Sequence, residues 1–201
     1  MDWIADLAGL EALYGTPVAA ATRKVADHIA PAYRPFVERA RFCILSTFGP
    51  GGTDASPRGD EGPVLRILDP ATLALPDWHG NNRIDSLRNI VADGRVSLML
   101  LIPGLNNVIR INGTARLTAD DALRASFTHL GKQPRTVIVI KVVEVYSQCA
   151  RALIRSALWT SGDQSAGLPT AGKILASLTD GEVGGEEYDR AWPERAKATM
   201  W

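Results

Sequence analysis

Cysteine is nearly absent. The 201-residue chain has two, Cys43 and Cys149, far apart in sequence. That excludes a disulfide framework as the source of stability and points to reduced thiols and a cytoplasmic setting. Net charge is also absent, with 22 Lys and Arg against 22 Asp and Glu. Neither nucleic acid nor an anionic membrane is therefore an expected partner, and any anion site must be local. The opening MDWIADLAGLEALYG lacks the basic leader and apolar run of a secretory signal. The longest apolar stretches, near Val96 to Ile102 and Val137 to Val145, are too short to span a bilayer as helices. No glycine-rich phosphate string follows a strand, and no nucleophile elbow occurs. His28, His79 and His129 are scattered, without a His-x-x-x-His pair, so no metal site is expected. An Arg-Gly-Asp string begins at Arg58, but adhesion motifs act on secreted proteins, and such strings arise often by chance.

What remains is an ordinary globular composition, long enough for one domain with a full core. Residues 1–40 read as a helical segment packed on a barrel of strands. Thr16 is a candidate N-cap with Pro17 at the first helical position, and Pro31 suits a second start. From Arg41 the period changes. RFCILSTF, PVLRILD, TLALPD, GRVSLMLLIPG, NVIRINGTARLT and TVIVIKVVEVYSQ are short, β-branched or alternating, and bounded by Gly, Pro and Asp. Helices are expected at NRIDSLRNIVADG, closing at Gly94, at TADDALRASFTHLG, with Thr118 as N-cap, and at SQCARALIRSALW. Residues 160–201 read as a loosely attached tail with one short helix, KILASLTDG. Six strands joined mostly by short turns imply a closed or nearly closed antiparallel barrel over residues 41–159. Crossover helices are too few for a doubly wound parallel sheet.

The basic residues are the informative ones. Arg41 opens the first strand, and Arg58 lies in the polar stretch DASPRGDEG, read as a turn at the barrel rim. Arg83 and Arg88 flank Ser86 on the helix opening at Asn81-Asn82, and Arg110 interrupts an apolar strand. A helix start with Arg and Ser nearby suits a phosphate, because backbone N–H groups and guanidinium groups both point at the anion. Arg88 reads equally well as a solvated surface residue.

RFCILSTFGPGGTDASPRGDEG, GNNRIDSLRNIVADGRVSLMLLIPG, VIRINGTARLT and YSQCARALIRSALW, in that order and spacing, resemble the pyridoxamine 5′-phosphate oxidase-like family of FMN-binding split barrels, in its FMN-dependent branch of unassigned substrate. The resemblance covers roughly Tyr14 to Trp159. It implies a mainly β fold with flanking helices, a six-stranded antiparallel split barrel. It also implies a homodimer with FMN at the subunit interface. Carried onto this chain, the phosphate contacts fall on Arg41, Ser46, Ser56, Pro57, Arg58, Asn82, Arg83 and Ser86. Arg110 and Asn112 flank the flavin, and Trp159 on the helix after the last strand is a candidate flavin or dimer contact. Arg155 shares a helix face with Trp159, and Cys149 is expected to be a packing residue.

The chain departs from true pyridoxamine phosphate oxidases. Ser46 stands where they carry Lys, Val108 where they carry Gln, and TSGDQSAG replaces their terminal Trp and Arg-Leu-x-Pro string. The resemblance thus implies an FMN-dependent oxidoreductase of an unidentified small molecule, with NAD(P)H as a candidate donor. No acid or base is assigned, and Arg58 is the candidate for stabilising charge on the reduced ring. A non-catalytic flavin carrier or sensor, or a heme- or F420-binding relative, are the alternatives.

Overall fold

A computed structural model describes residues 1–201. Its frame is one seven-stranded, wholly antiparallel sheet in the order β2-β1-β5-β6-β7-β4-β3. The strands are β1 (Phe42–Gly49), β2 (Gly52–Gly59), β3 (Arg66–Asp69), β4 (Thr72–Asp77), β5 (Arg95–Leu101), β6 (Val108–Thr118) and β7 (Thr136–Gln148). The end strands β2 and β3 do not pair with each other, so the barrel is split between them. No helix is long and apolar enough to cross a membrane.

Alternation decides which face each strand buries. Cys43 and Leu45 of β1, Leu98 and Leu100 of β5, Ile109 and Ile111 of β6, and Ile138 and Ile140 of β7 all point inward into one core. Between Asn112 and Gly113 the β6–β7 register shifts, and Val143 becomes the unpaired residue of β7. Gly113 is required there, because a Cβ would lie 2.2 Å from the Lys141 carbonyl oxygen.

The expected strand count was six, and the seventh is β2. GTDASPRG pairs with β1 along its whole length, from Phe42↔Gly59 to Gly49↔Gly52. It is a polar edge strand without one buried residue, so it carries no apolar period. Pro57 is tolerated because an edge strand leaves one row of N–H groups unpaired. The stretch read as a turn is therefore mostly strand.

The helices are α1 (Leu7–Glu11), α2 (Ala19–Arg23), α3 (Arg34–Arg39), α4 (Asp85–Asp93), α5 (Asp121–Ala125), α6 (Arg151–Arg155), α7 (Ala171–Leu178) and α8 (Gly185–Thr199). Several expected starts move. The N-cap of α2 is Val18, not Thr16. Helix α3 starts at Arg34 and takes Pro35, not Pro31, in its first turn. In α5 the cap is Asp120, which accepts from Leu123 N–H at 2.8 Å, while Thr118 ends β6. Helices α1 and α2 bury nothing, so the first forty residues pack on the barrel only from Ala26, which bridges Val145.

The tail has two helices rather than one. Helices α7 and α8 approach so closely that a Cβ on Gly172 would lie 2.3 Å from the Gly185 carbonyl oxygen. Asp189 of α8 accepts from Gly172 N–H and from the Thr170 hydroxyl, so α8 caps α7. The sequence pattern missed α8 because Gly184-Gly185 and Pro193 interrupt a polar stretch.

Candidate functional site

The split end of the barrel holds a cleft of about 830 Å³. The end of β2, the loop from β4 to α4, the start of β7 and the residues after α8 form its walls. Its charged centre is Arg58, whose side chain is 19% exposed. One terminal nitrogen donates to Asp77 Oδ1 at 2.5 Å, and Asp77 is 15% exposed. The Arg58 Nε–H is buried and has no partner. Nor does the buried Thr136 hydroxyl at the start of β7. Unpartnered buried donors are rare because each costs about 1–3 kcal/mol. Here both belong to residues lining one cleft.

Arg135, beside Thr136, donates from Nη1 to the Asn82 side-chain oxygen at 2.9 Å. Its partner is neutral, so its charge remains available. Asn82 and Ile84 both have left-handed backbones, with φ of 60° and 54°. Asn accepts this conformation readily, but a β-branched Ile does so only under strain, which marks the loop as held in an imposed shape. Trp78 forms part of the cleft wall and donates its indole N–H to Asp60 Oδ2 at 2.9 Å. Met200 and Trp201 complete that wall.

Among the eleven sequence-derived candidates, the cleft gathers Ser56, Pro57, Arg58 and Asn82. Arg83 points elsewhere. It is 76% exposed, pairs with Asp85 at 2.9 Å, and lies with Arg88 in a shallow neighbouring depression. The helix opens at Asp85, so Asn81-Asn82 belong to the loop before it. Ser86 is buried and donates to Asp54 Oδ2 at 2.5 Å, tying α4 to β2. Ser46 lies on the outer face of β1 in a groove with Ser97. Arg41 lines a separate polar depression with Glu38 and Arg39.

Arg110 and Asn112 lie on the outer face of β6. Arg110 sits over the Tyr146 ring at 5.3 Å. Ser97 donates to Asn112 Oδ1 at 2.6 Å, and Asn112 donates to Glu144 Oε1 at 2.5 Å. Trp159 donates to the Leu105 carbonyl at 2.9 Å. It lies beyond α6, which ends at Arg155, and Ala157 has a left-handed backbone. Arg155 and Trp159 therefore do not share a helix face.

Burial pushes the Cys43 thiol up to about 12, with nearby Arg58 pulling weakly the other way, so Cys43 is a protonated core residue. Cys149 is exposed and its pKa is lowered, chiefly by a hydrogen bond from the Arg151 backbone. It is a surface thiol, not the packing residue expected.

Asp77, Trp78, Arg135, Thr136 and Trp201 are the cleft residues that pattern reading missed. A Trp between Asp and His ahead of Gly-Asn-Asn was a usable signal for Trp78. Arg135 and Trp201 carry none, because their relation to Arg58 exists only in three dimensions.

No curated protein matches the chain. Three solved structures resemble it at low identity. HupZ from Group A Streptococcus is 15% identical, with a TM-score of 0.49, covering 59% of this chain and 93% of that one. An FMN-binding protein from Syntrophomonas wolfei is 17% identical, with a TM-score of 0.43, covering 58% and 88%. General Stress Protein 26 from Bacillus anthracis is 16% identical, with a TM-score of 0.44, covering 57% and 88%. The sequence model described as pyridoxamine 5′-phosphate oxidase matches residues 29–149, which span the whole barrel from the approach to β1 through the end of β7. The chain belongs to the pyridoxamine 5′-phosphate oxidase family.

Proposed function

We propose that the protein is an FMN-dependent oxidoreductase acting on a small molecule, with the flavin bound beside Arg58 where two copies of the chain meet. The observation that carries this reading is the buried Arg58 guanidinium. One terminal nitrogen of it is satisfied by Asp77, while its buried Nε–H has no partner, and the residue lines the cleft. A donor left in that state suits an anionic or carbonyl-rich ligand. The cleft volume falls within the roughly 300–1,000 Å³ of small-molecule sites. Thr136 and Arg135 add donors, and Trp78 adds an aromatic wall.

FMN, when bound, supplies the transfer of a hydride or of single electrons. This chain's residues bind and orient. The Arg58–Asp77 pair fixes the guanidinium, so Arg58 would hold negative charge on the ring or phosphate with little reorganisation. Arg135 supplies a second positive charge, held in place by Asn82.

A carrier without turnover is the competing reading. One observation favours it: two acidic groups of the cleft are already engaged, Asp77 by Arg58 and Asp60 by the Trp78 indole.

The deciding experiment is the visible spectrum of freshly purified protein, with the released chromophore identified by mass. It is followed by anaerobic addition of NADH or NADPH. Stoichiometric FMN that is bleached and then reoxidised by an acceptor supports the enzyme. FMN that no nicotinamide reduces supports the carrier. Heme or F420 as the released chromophore replaces FMN, and a protein that takes up none of the three ends the proposal.

A further inference from the structure

The family match ends at residue 149, yet Met200 and Trp201, at the end of the segment 198–201, line the cleft. Three contacts hold this segment on the barrel. Lys132 Nζ donates to the Ala198 carbonyl at 3.1 Å. The His79 ring nitrogen Nδ1 lies 3.3 Å from the Thr199 carbonyl. The Trp201 ring meets Trp78 edge-on at 5.1 Å between centroids, and His129 backs it at 4.4 Å. Trp201 and Met200 line the cleft, whereas His129 lies behind, on a second and smaller depression. Asp60 and Trp78 line both cavities, and Trp201 bounds the larger one where it packs on Trp78.

A tryptophan held this way is either a plug or a wall. The cleft volume separates the two, because about 830 Å³ stays open with Trp201 in place. The ring therefore bounds the space without filling it. The lining of that space combines two chemistries. Arg58 and Arg135 bring positive charge to its lining, while Trp78 and Trp201 bring aromatic rings. Such a combination suits a ligand that carries both an anionic group and a flat ring.

We infer that Trp201 is a specificity-determining wall of the cleft. Together with Trp78 it selects a planar aromatic ligand bearing an anionic group, and Lys132 is the positioning residue that holds the segment. The selected class rests on the flavin reading of the cleft. The docking of the segment does not.

The test uses the full chain as unmodified protein and as W201A, W201F and K132A. FMN is titrated by quenching of its fluorescence, and near-UV circular dichroism is recorded without ligand. The wall predicts at least tenfold weaker FMN binding for W201A and recovery to within about threefold for W201F. K132A, which touches no ligand, should weaken binding about two- to threefold. The near-UV signal of the Trp78–Trp201 pair should be lost in W201A and reduced in K132A. Binding by W201A equal to or tighter than that of the unmodified protein overturns the wall and makes Trp201 a bystander or a plug. If the unmodified protein binds no FMN, the flavin reading fails by itself, and the ligand-free spectra still decide the docking. Unchanged near-UV spectra in W201A and K132A overturn it, and the paired losses support it.

Discussion

Arg58 carries two tasks that one substitution can separate. Its terminal nitrogen holds Asp77, and its buried Nε–H has no partner. Arg58→Lys keeps the charge opposite Asp77 but removes the second donor. It should therefore fold with little loss of stability and bind FMN more weakly by about 1.5–3 kcal/mol, roughly tenfold or more by fluorescence titration. Arg58→Ala would strand a buried carboxylate and cost about 3–5 kcal/mol of stability, which would hide the effect on binding. Arg83→Glu is the contrast. Arg83 is exposed and faces another depression, so affinity should change by no more than about threefold. A larger loss at Arg83 than at Arg58 would move the anion to the Arg83–Arg88 depression. The thiols separate in the same way. Cys43 is buried and its pKa is raised to about 12. Cys149 is exposed and its pKa is lowered. At pH 8 a thiol reagent should modify one group quickly and reach the second only on denaturation. Because the Cys43 pKa is raised in the folded state, the associated stability is intact below about pH 9. It declines as pH rises from there toward 12.

Among the elements, Gly113 at the β6–β7 bulge is the most constrained position. A Cβ would meet the Lys141 carbonyl oxygen at 2.2 Å, and that oxygen belongs to the ladder and has nowhere to go. Gly113→Ala should lower stability by about 3 kcal/mol, the upper end of the overpacking range, read as a lower urea midpoint. Gly51→Ala, with no atom within 4 Å and no positive φ, should leave the midpoint unchanged. The same elements explain what the sequence made legible. The inward residues of β1, β5, β6 and β7 alternate at period two beside glycines and prolines, so strand and face could both be read. Strand β2 could not, because an edge strand that buries nothing has no pattern beyond its pairing with β1. The candidate site divides likewise. SPR and Asn82 were readable through the family's motif order. Arg135, Thr136 and Trp201 reach the cleft from far along the chain, and only the closed fold brings them beside Arg58.

For the whole molecule, the outer face of the split sheet is the surface left to explain. Phe42 and Met99 are 39% and 37% exposed on adjacent strands, with Ile44 and Leu101 half-buried beside them. The hydrogen-bonded row Ser97–Asn112–Glu144 runs through the same face. An apolar sheet face with an ordered polar row suits a second copy of the chain, since a two-fold contact sets identical strands against each other. The flavin reading needs that contact, because Arg110 and Asn112 lie on this face while Arg58 lies at its rim. Sedimentation equilibrium should then give twice the 21.6 kDa chain mass. The melting temperature should rise with protein concentration, as it does when folding and association are linked. Met99→Glu sets a carboxylate in the middle of the contact without disturbing the core, since the Met99 side chain points away from it. It should sediment as a folded monomer and lose FMN together with the dimer. A Met99→Glu monomer that retains FMN at full affinity would confine the flavin to the single-chain cleft around Arg58. An unmodified protein that sediments as a monomer at every concentration would remove the interface altogether.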